Sequence, residues 1–179
     1  MNSSAPFNKH PLLLRCLHWI NALLIIALFV SGWIMVDLDY YSPWYNRLPE
    51  WHITGGVLLL LLWTLMILRT LFPKQALPDL QHHRLEYWLS LITQILFYLL
   101  VLIITVCGYL FTTADGQSKA LLGGLNIPAI SHFSAEQIDT MGWLHENLSY
   151  VLMGLVLLHV LGALKHHFID RDATLKRML

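Results

Sequence analysis

"GWLHENLSYVLMGLVLLHVLGALKHHF", residues 142–168, is apolar almost throughout and yet carries four histidines. Three of them, His145, His159 and His166, are separated by 14 and then 7 positions, which at about 100° per residue brings them within roughly 60° of one another on a helix. A segment this long and apolar reads as a membrane-spanning helix. Polar side chains are costly at that depth, so imidazoles gathered on one side of such a helix call for partners that meet them there.

The rest of the chain supports the membrane reading. Of 179 residues, 56% are hydrophobic and 12% charged, and the mean hydropathy is +0.58, far from the balance of a soluble domain. Four apolar stretches approach or exceed the ~20 residues that cross a bilayer: residues 12–36, 51–72, 85–112 and 142–168. The expected fold is an all-α membrane protein, a four-transmembrane-helix bundle forming one domain over residues 1–179. A formal net charge of +0 gives no case for nucleic acid. No glycine-rich phosphate loop and no zinc-type Cys/His spacing is present.

Orientation follows from the basic residues, which accumulate on cytoplasmic flanks. The two terminal flanks and the second connection hold Lys9, Arg15, Arg69, Lys74, Arg84, Lys165, Arg171, Lys176 and Arg177, against only Arg47 and Lys119 on the other connections. Both termini are expected in the cytoplasm. The first apolar segment is long for a signal peptide, carries His18 and lacks a small-residue cleavage site, so it is expected to remain. Cys16 and Cys107 fall at opposite membrane levels and read as unpaired packing residues.

The connections have distinct characters. "DLDYYSPWYNRLPE", residues 37–50, is rich in the Tyr and Trp that settle at membrane interfaces. "PKQALPDLQHH", residues 73–83, carries two prolines and reads as an irregular turn. The longest connection, residues 114–141, contains Gly123, Gly124 and Pro128, then Ser134 with Gln137 three later, a capping box expected to open a short separate helix on the outer face.

Depth sorts the histidines. His18 lies in the inner third of the first segment and His52 at the outer start of the second. His145 is at the outer start of the fourth, and His159 lies about 21 Å further inward at 1.5 Å per residue. His18 thus faces His159 in the inner leaflet and His52 faces His145 in the outer, two sites that each take one imidazole from two helices. Two opposed imidazoles suit a haem iron, which leaves its two axial positions for protein; zinc prefers four ligands. Gly55 and Gly56 follow His52, and Gly162 and Ala163 follow His159, by three and four positions, leaving room beside each ligand. Gly32 shares the face of His18 at the outer level and is expected to admit the outer ring. His166, one to two turns beyond His159, is a candidate donor to a haem propionate, or a snorkelling interfacial residue. Arg15 and Arg69 are candidates to neutralise a propionate or to anchor on lipid phosphate.

With these residues on the page, the chain resembles the bacterial cytochrome b561 proteins, small di-haem cytochromes of the inner membrane. The resemblance spans nearly the whole chain and rests on "LHWI", "HITGG", "LHENL" and above all the tail "HVLGALKHHFIDRDATLKRM". It implies that His18, His52, His145 and His159 are the axial ligands of two b-type haems between the helices. It also implies electron transfer across the membrane with ubiquinone as partner, to whose carbonyl His166 is a candidate donor, and superoxide oxidation as proposed for some members. One departure is Gln94, where family members often carry a helix 3 histidine before a Tyr-Leu pair, here Tyr98 and Leu99; glutamine can hydrogen-bond but not titrate.

A second departure is charge. The outer regions hold seven carboxylates (Asp37, Asp39, Glu50, Asp115, Glu136, Asp139 and Glu146) against Arg47 and Lys119, a net of −5. Such a face repels an anion such as superoxide and favours a neutral donor or a basic periplasmic carrier protein. Two further functions are open to the sequence: a haem-bearing anchor subunit for a periplasmic redox partner, and a haem-free transporter using histidines as a proton relay. The short loops weigh against the first. The absence of a broken helix or buried carboxylate weighs against the second.

Overall fold

A computed structural model describes residues 9–71 and 84–179. The turn expected at residues 73–83, with Lys74, His82 and His83, lies outside the described residues. Among the described residues, four helices are long and apolar enough to cross a membrane. They are α1 (Leu12–Val36), α2 (Arg47–Leu71), α3 (Arg84–Thr112) and α4 (Ala135–Phe168). Between α3 and α4 lies a two-stranded antiparallel ribbon, β1 (Lys119–Ala120) with β2 (Asn126–Ile127), and a short α5 (Thr174–Met178) ends the chain.

Two boundaries differ from the sequence expectation. α2 starts at Arg47 rather than residue 51, because Pro49 falls in the first turn, where its missing N–H costs nothing. Ser134 and Gln137 do form the capping box, but they cap α4 itself and not a separate helix. Gly142, at which the fourth span was expected to begin, lies inside α4. Its missing side chain admits the Phe111 ring of α3: a Cβ there would sit 3.1 Å from Phe111 Cε2. The glycine marks close helix packing instead of a helix end.

Helix α1 packs along α2 and α3 along α4, with α2 also against α3, whereas α1 and α4 touch only lightly. The apolar core is Ile25, Leu59, Trp63, Val101, Ile104 and Leu152. Three of these are spaced regularly from histidines: Ile25 and Leu59 stand seven residues after His18 and His52, and Leu152 is midway between His145 and His159. Seven helical residues rise about 10 Å, so this plug fills the middle of the bundle, between the two histidine levels. Six of the seven tryptophans, Trp19, Trp33, Trp44, Trp51, Trp88 and Trp143, are exposed toward the ends of the bundle, the placement that membrane interfaces select; Trp63 alone is in the core.

The connection after α3 closes one end. Gly123 and Gly124 take positive φ in the ribbon's turn, Leu121 is buried, and the Leu122 N–H donates to Thr54 Oγ1 of α2 at 3.0 Å. The opposite end, the termini end, carries the first described residues before α1 and the C-terminal α5. There the His10 N–H donates to the Arg177 carbonyl at 3.0 Å and Trp19 Nε1 to the Met178 carbonyl at 2.9 Å, laying α5 against the start of α1. Cys107 is buried, as a packing residue should be, but Cys16 is exposed on the side of α1; both are free thiols.

Candidate functional site

The structure brings the four depth-matched histidines together in two pairs. His18 of α1 and His159 of α4 have ring centroids 6.2 Å apart, and His52 of α2 and His145 of α4 are 6.0 Å apart. Two imidazoles coordinated on opposite sides of one first-row metal ion, with metal–nitrogen bonds of about 2 Å and centroids about 1.1 Å beyond each nitrogen, stand roughly 6 Å apart. Both pairs match that span. Along α4 the two levels are separated by about 21 Å.

Local contacts orient the loop-end pair. The Ile104 carbonyl of α3 only accepts, so the His145 Nδ1 2.8 Å away carries the proton and donates. The Ser31 hydroxyl donates to the Leu28 carbonyl at 3.0 Å, which leaves its oxygen to accept from His52 Nδ1, also at 3.0 Å. In both rings the remaining nitrogen, Nε2, keeps its lone pair for a metal, the arrangement in which a second hydrogen bond fixes the tautomer of a ligating histidine. At the termini end aromatic rings do the orienting: Trp19 lies edge-on to His18 at 5.5 Å and Phe97 edge-on to His159 at 5.6 Å. His159 is exposed on the bundle side, where a bare imidazole at membrane depth is costly and a flat apolar group covering it would relieve the cost.

Glycines hold the rings at close range. A Cβ at Gly32 would lie 3.2 Å from His52 Cε1, so the space beside Gly32 is taken by the imidazole itself. A Cβ at Gly108 would lie 2.7 Å from both Cε1 and Nδ1 of His145. Gly55, by contrast, gives its space to Leu28 of α1, which a Cβ would meet at 2.9 Å, and not to a ligand. Gly56 and Gly162 have nothing within 4 Å of such a Cβ. Ser31, the Ile104 carbonyl and Gly108 were not singled out from sequence. The signals were there as a serine beside Gly32 in an apolar span and a lone glycine among the large residues of α3.

The remaining candidates fall at the termini end. His166 turns its Nδ1 to Asp172 at 2.9 Å and Asp170 at 3.0 Å, so that nitrogen is taken by carboxylates. Glu86, His166 and Asp170 approach one another closely enough to hold a cation, but Lys165 supplies the positive charge there, at 2.9 Å from Glu86 and 2.8 Å from Asp170. Arg15 is half-buried with its Nε unpartnered among the described residues. Arg69 is half-buried at the end of α2. Gln94 Nε2 donates to Tyr98 Oη at 3.1 Å. Outside the spans, burial and the adjacent Arg177 hold His10 below the usual imidazole range. Desolvation pushes the Asp172 carboxyl up, but hydrogen bonds from Thr174 and His166 outweigh it and leave it below the usual range. The Lys119 ammonium, hydrogen-bonded at 2.7 Å, holds Asp115 low.

The family model described as prokaryotic cytochrome b561 matches residues 9–179. The chain is 35% identical over 162 residues to "Cytochrome b561 homolog 2" of Escherichia coli (strain K12), spanning 90% of this chain and 86% of that protein. It is 26% identical over 172 residues to "Probable superoxide oxidase CybB" of Yersinia pestis, spanning 91% of each. With four membrane-length helices and this match over nearly its full length, the chain belongs to the prokaryotic cytochrome b561 family, multi-pass membrane electron-transfer cytochromes whose membership implies b-type haem.

Proposed function

We propose that this cytochrome binds two b-type haems, one between His18 and His159 and one between His52 and His145, and carries electrons between a periplasmic-side donor and ubiquinone. The observation that carries the reading is the pair of imidazole–imidazole spans of 6.2 and 6.0 Å at two separate levels. Each bound haem supplies a one-electron iron couple whose potential the surrounding protein sets. The chain's own residues do the rest. The four imidazoles present lone pairs; Ser31 and the Ile104 carbonyl fix two of them; and the Ile25, Leu59 and Leu152 plug keeps water from the space between the levels. The basic residues gathered at the termini end support a cytoplasmic placement of both termini in the inner membrane. Membership in a cytochrome family leaves no case for the haem-free transporter.

A second reading is favoured by one relative. The Yersinia pestis protein is named a probable superoxide oxidase, which makes superoxide a candidate donor here. Against it stands the loop-end net charge of −5, which slows the approach of a small anion. The test of the main reading is the purified protein's visible spectrum before and after dithionite, with haem quantified per chain. Two b-type haems, with His52→Ala or His145→Ala removing mainly one and His18→Ala or His159→Ala mainly the other, is the expected result. Full haem content in any of the four variants would refute the assignment of that ligand.

A further inference from the structure

Seven buried side-chain nitrogen or oxygen atoms find no hydrogen-bond partner among the described residues, and they are not scattered. Four belong to basic side chains at the termini end: His10 Nδ1, Arg15 Nε, His167 Nδ1 and Arg177 Nε. Buried polar atoms without partners are costly, the more so on the cationic guanidinium groups.

The fold gathers several of these groups deliberately. The His10–Arg177 and Trp19–Met178 backbone-directed hydrogen bonds hold α5 against the first turns of α1. Arg15 lies with Cys16, Trp19 and Met178 along the shallow groove between those elements. Arg15 precedes His18 by three residues, which puts it one turn toward the membrane surface on nearly the same side of α1. Three described side-chain carboxylates at this end are engaged elsewhere. Asp170 and Glu86 are paired with Lys165, and Asp172 with His166. Two arginines brought to one end of the bundle, each with a buried Nε that has no acceptor among the described residues, are suited to an anion.

We infer that Arg15 and Arg177, assisted by His10 and His167, form a carboxylate seat that takes the propionates of the haem held by His18 and His159. The inference rests on the two-haem reading. Its new element is α5, which exists to bring Arg177 back to the start of α1 and so close the seat. The guanidinium fork matches a carboxylate with two parallel hydrogen bonds, and haem carries two carboxylates on one edge, the edge that seeks the polar end of the bundle. A lipid phosphate offers the same charge-assisted chemistry, and the test separates the two.

The experiment uses the full-length holoprotein with Arg15→Gln, Arg177→Gln, both together, and the corresponding lysine variants. Each haem's midpoint potential is measured by optical redox titration, and bound phospholipid by phosphorus analysis. A propionate left uncompensated favours the oxidised iron. Each glutamine variant is therefore expected to shift the termini-end reduction equilibrium about tenfold toward oxidised, 59 mV for one electron, with the loop-end haem unmoved and the lysine variants close to the parent. An unshifted termini-end potential overturns the seat, as does a loss of phospholipid phosphorus without such a shift, which would mark a lipid site. Equal shifts in both haems also overturn it, since they would report only a long-range field. If the glutamine variants lose the termini-end haem, its retention in the lysine variants supports the seat and equal loss in both sets overturns it. The parent's haem count and the His18→Ala spectrum test the two-haem reading separately: two haems with a selective loss in His18→Ala, but no response to arginine replacement, would sink the seat alone.

Discussion

Gly108 offers the sharpest test of how the loop-end pair is held. In Gly108→Ala the new methyl would lie 2.7 Å from His145 Cε1 and Nδ1, and an ordinary contact begins at 3.4 Å. The ring must therefore retreat by about 0.7 Å, which stretches the 2.8 Å bond to the Ile104 carbonyl toward the limit of hydrogen bonding. Losing an orienting hydrogen bond of this kind lowers metal-site affinity by roughly 10- to 100-fold, or about 1.4 to 2.8 kcal/mol. Gly32→Ala, 3.2 Å from His52 Cε1, should cost distinctly less, and Gly56→Ala and Gly162→Ala, with nothing within 4 Å, should cost nothing. All four glycines lie within helices, so each alanine brings the same gain in helix propensity of roughly 0.5 to 1 kcal/mol, and that gain cancels from the comparison. The assay is haemin titration of the apoprotein, followed at the Soret band, with the termini-end site as internal control. Equal affinity for Gly108→Ala and Gly56→Ala would refute the packing argument, and loss at the termini-end site instead would refute the pairing of His52 with His145.

Ser31→Ala removes the acceptor 3.0 Å from His52 Nδ1 and should weaken loop-end haem binding about tenfold; unchanged binding in the same titration would show that Ser31 does not hold the tautomer. A cytoplasm-active reporter fused after Leu179 should be active and a periplasm-active one silent, since the basic residues cluster at the termini end; the reverse pattern would invert the orientation. Because Asp172 is held below its ordinary value, the stability it gives the α4–α5 junction is present above the unfolded pKa of about 3.9 and is lost as pH falls through the lower folded value. The emission of Trp19, isolated as the difference from Trp19→Phe, should stay constant from neutral pH down to about 5 and change only at stronger acidity, while Asp172→Asn should show the change already at neutral pH. If the donor is a basic carrier protein, its reduction of the loop-end haem should slow as the screening length falls below about 10 Å; insensitivity to salt would remove the −5 face from the account.

The spans and the histidine pairs were legible because both follow from regularities that need no tertiary information. Apolar length fixes a membrane crossing, and a rise of about 1.5 Å per residue fixes the depth at which His18, His52, His145 and His159 stand. The opening of α4 was half legible: the Ser134 and Gln137 cap is local chemistry, but its continuity through Gly142 depends on Phe111, more than thirty positions earlier. Gly55 was misjudged for the same reason, since sequence spacing placed it beside His52 while Leu28 of another helix takes the space. The Ile104 carbonyl was invisible in principle, because every residue has one and only the packing of α3 on α4 selects it. Arg177 was counted only as a basic flank residue, because nothing local says that α5 turns back onto α1.

Helix α3 gains a role from these corrections. It contributes none of the four paired histidines, yet it supplies the carbonyl of Ile104 and the bare backbone of Gly108 at His145, and the Phe97 ring at His159. These contacts sit about 10 to 16 Å apart along one helix at 1.5 Å per residue, so one rigid element touches α4 at both of its histidine levels. The α1–α4 side, where packing is light, is thereby free to open for a flat cofactor without disturbing the imidazole angles set from behind by α3. On this view Gln94 needs no part in ligation: its amide is engaged with Tyr98, whose ring packs edge-on to Trp63 at 5.4 Å. A change at Gln94 should therefore register in the packing between α2 and α3 and leave the haem count untouched.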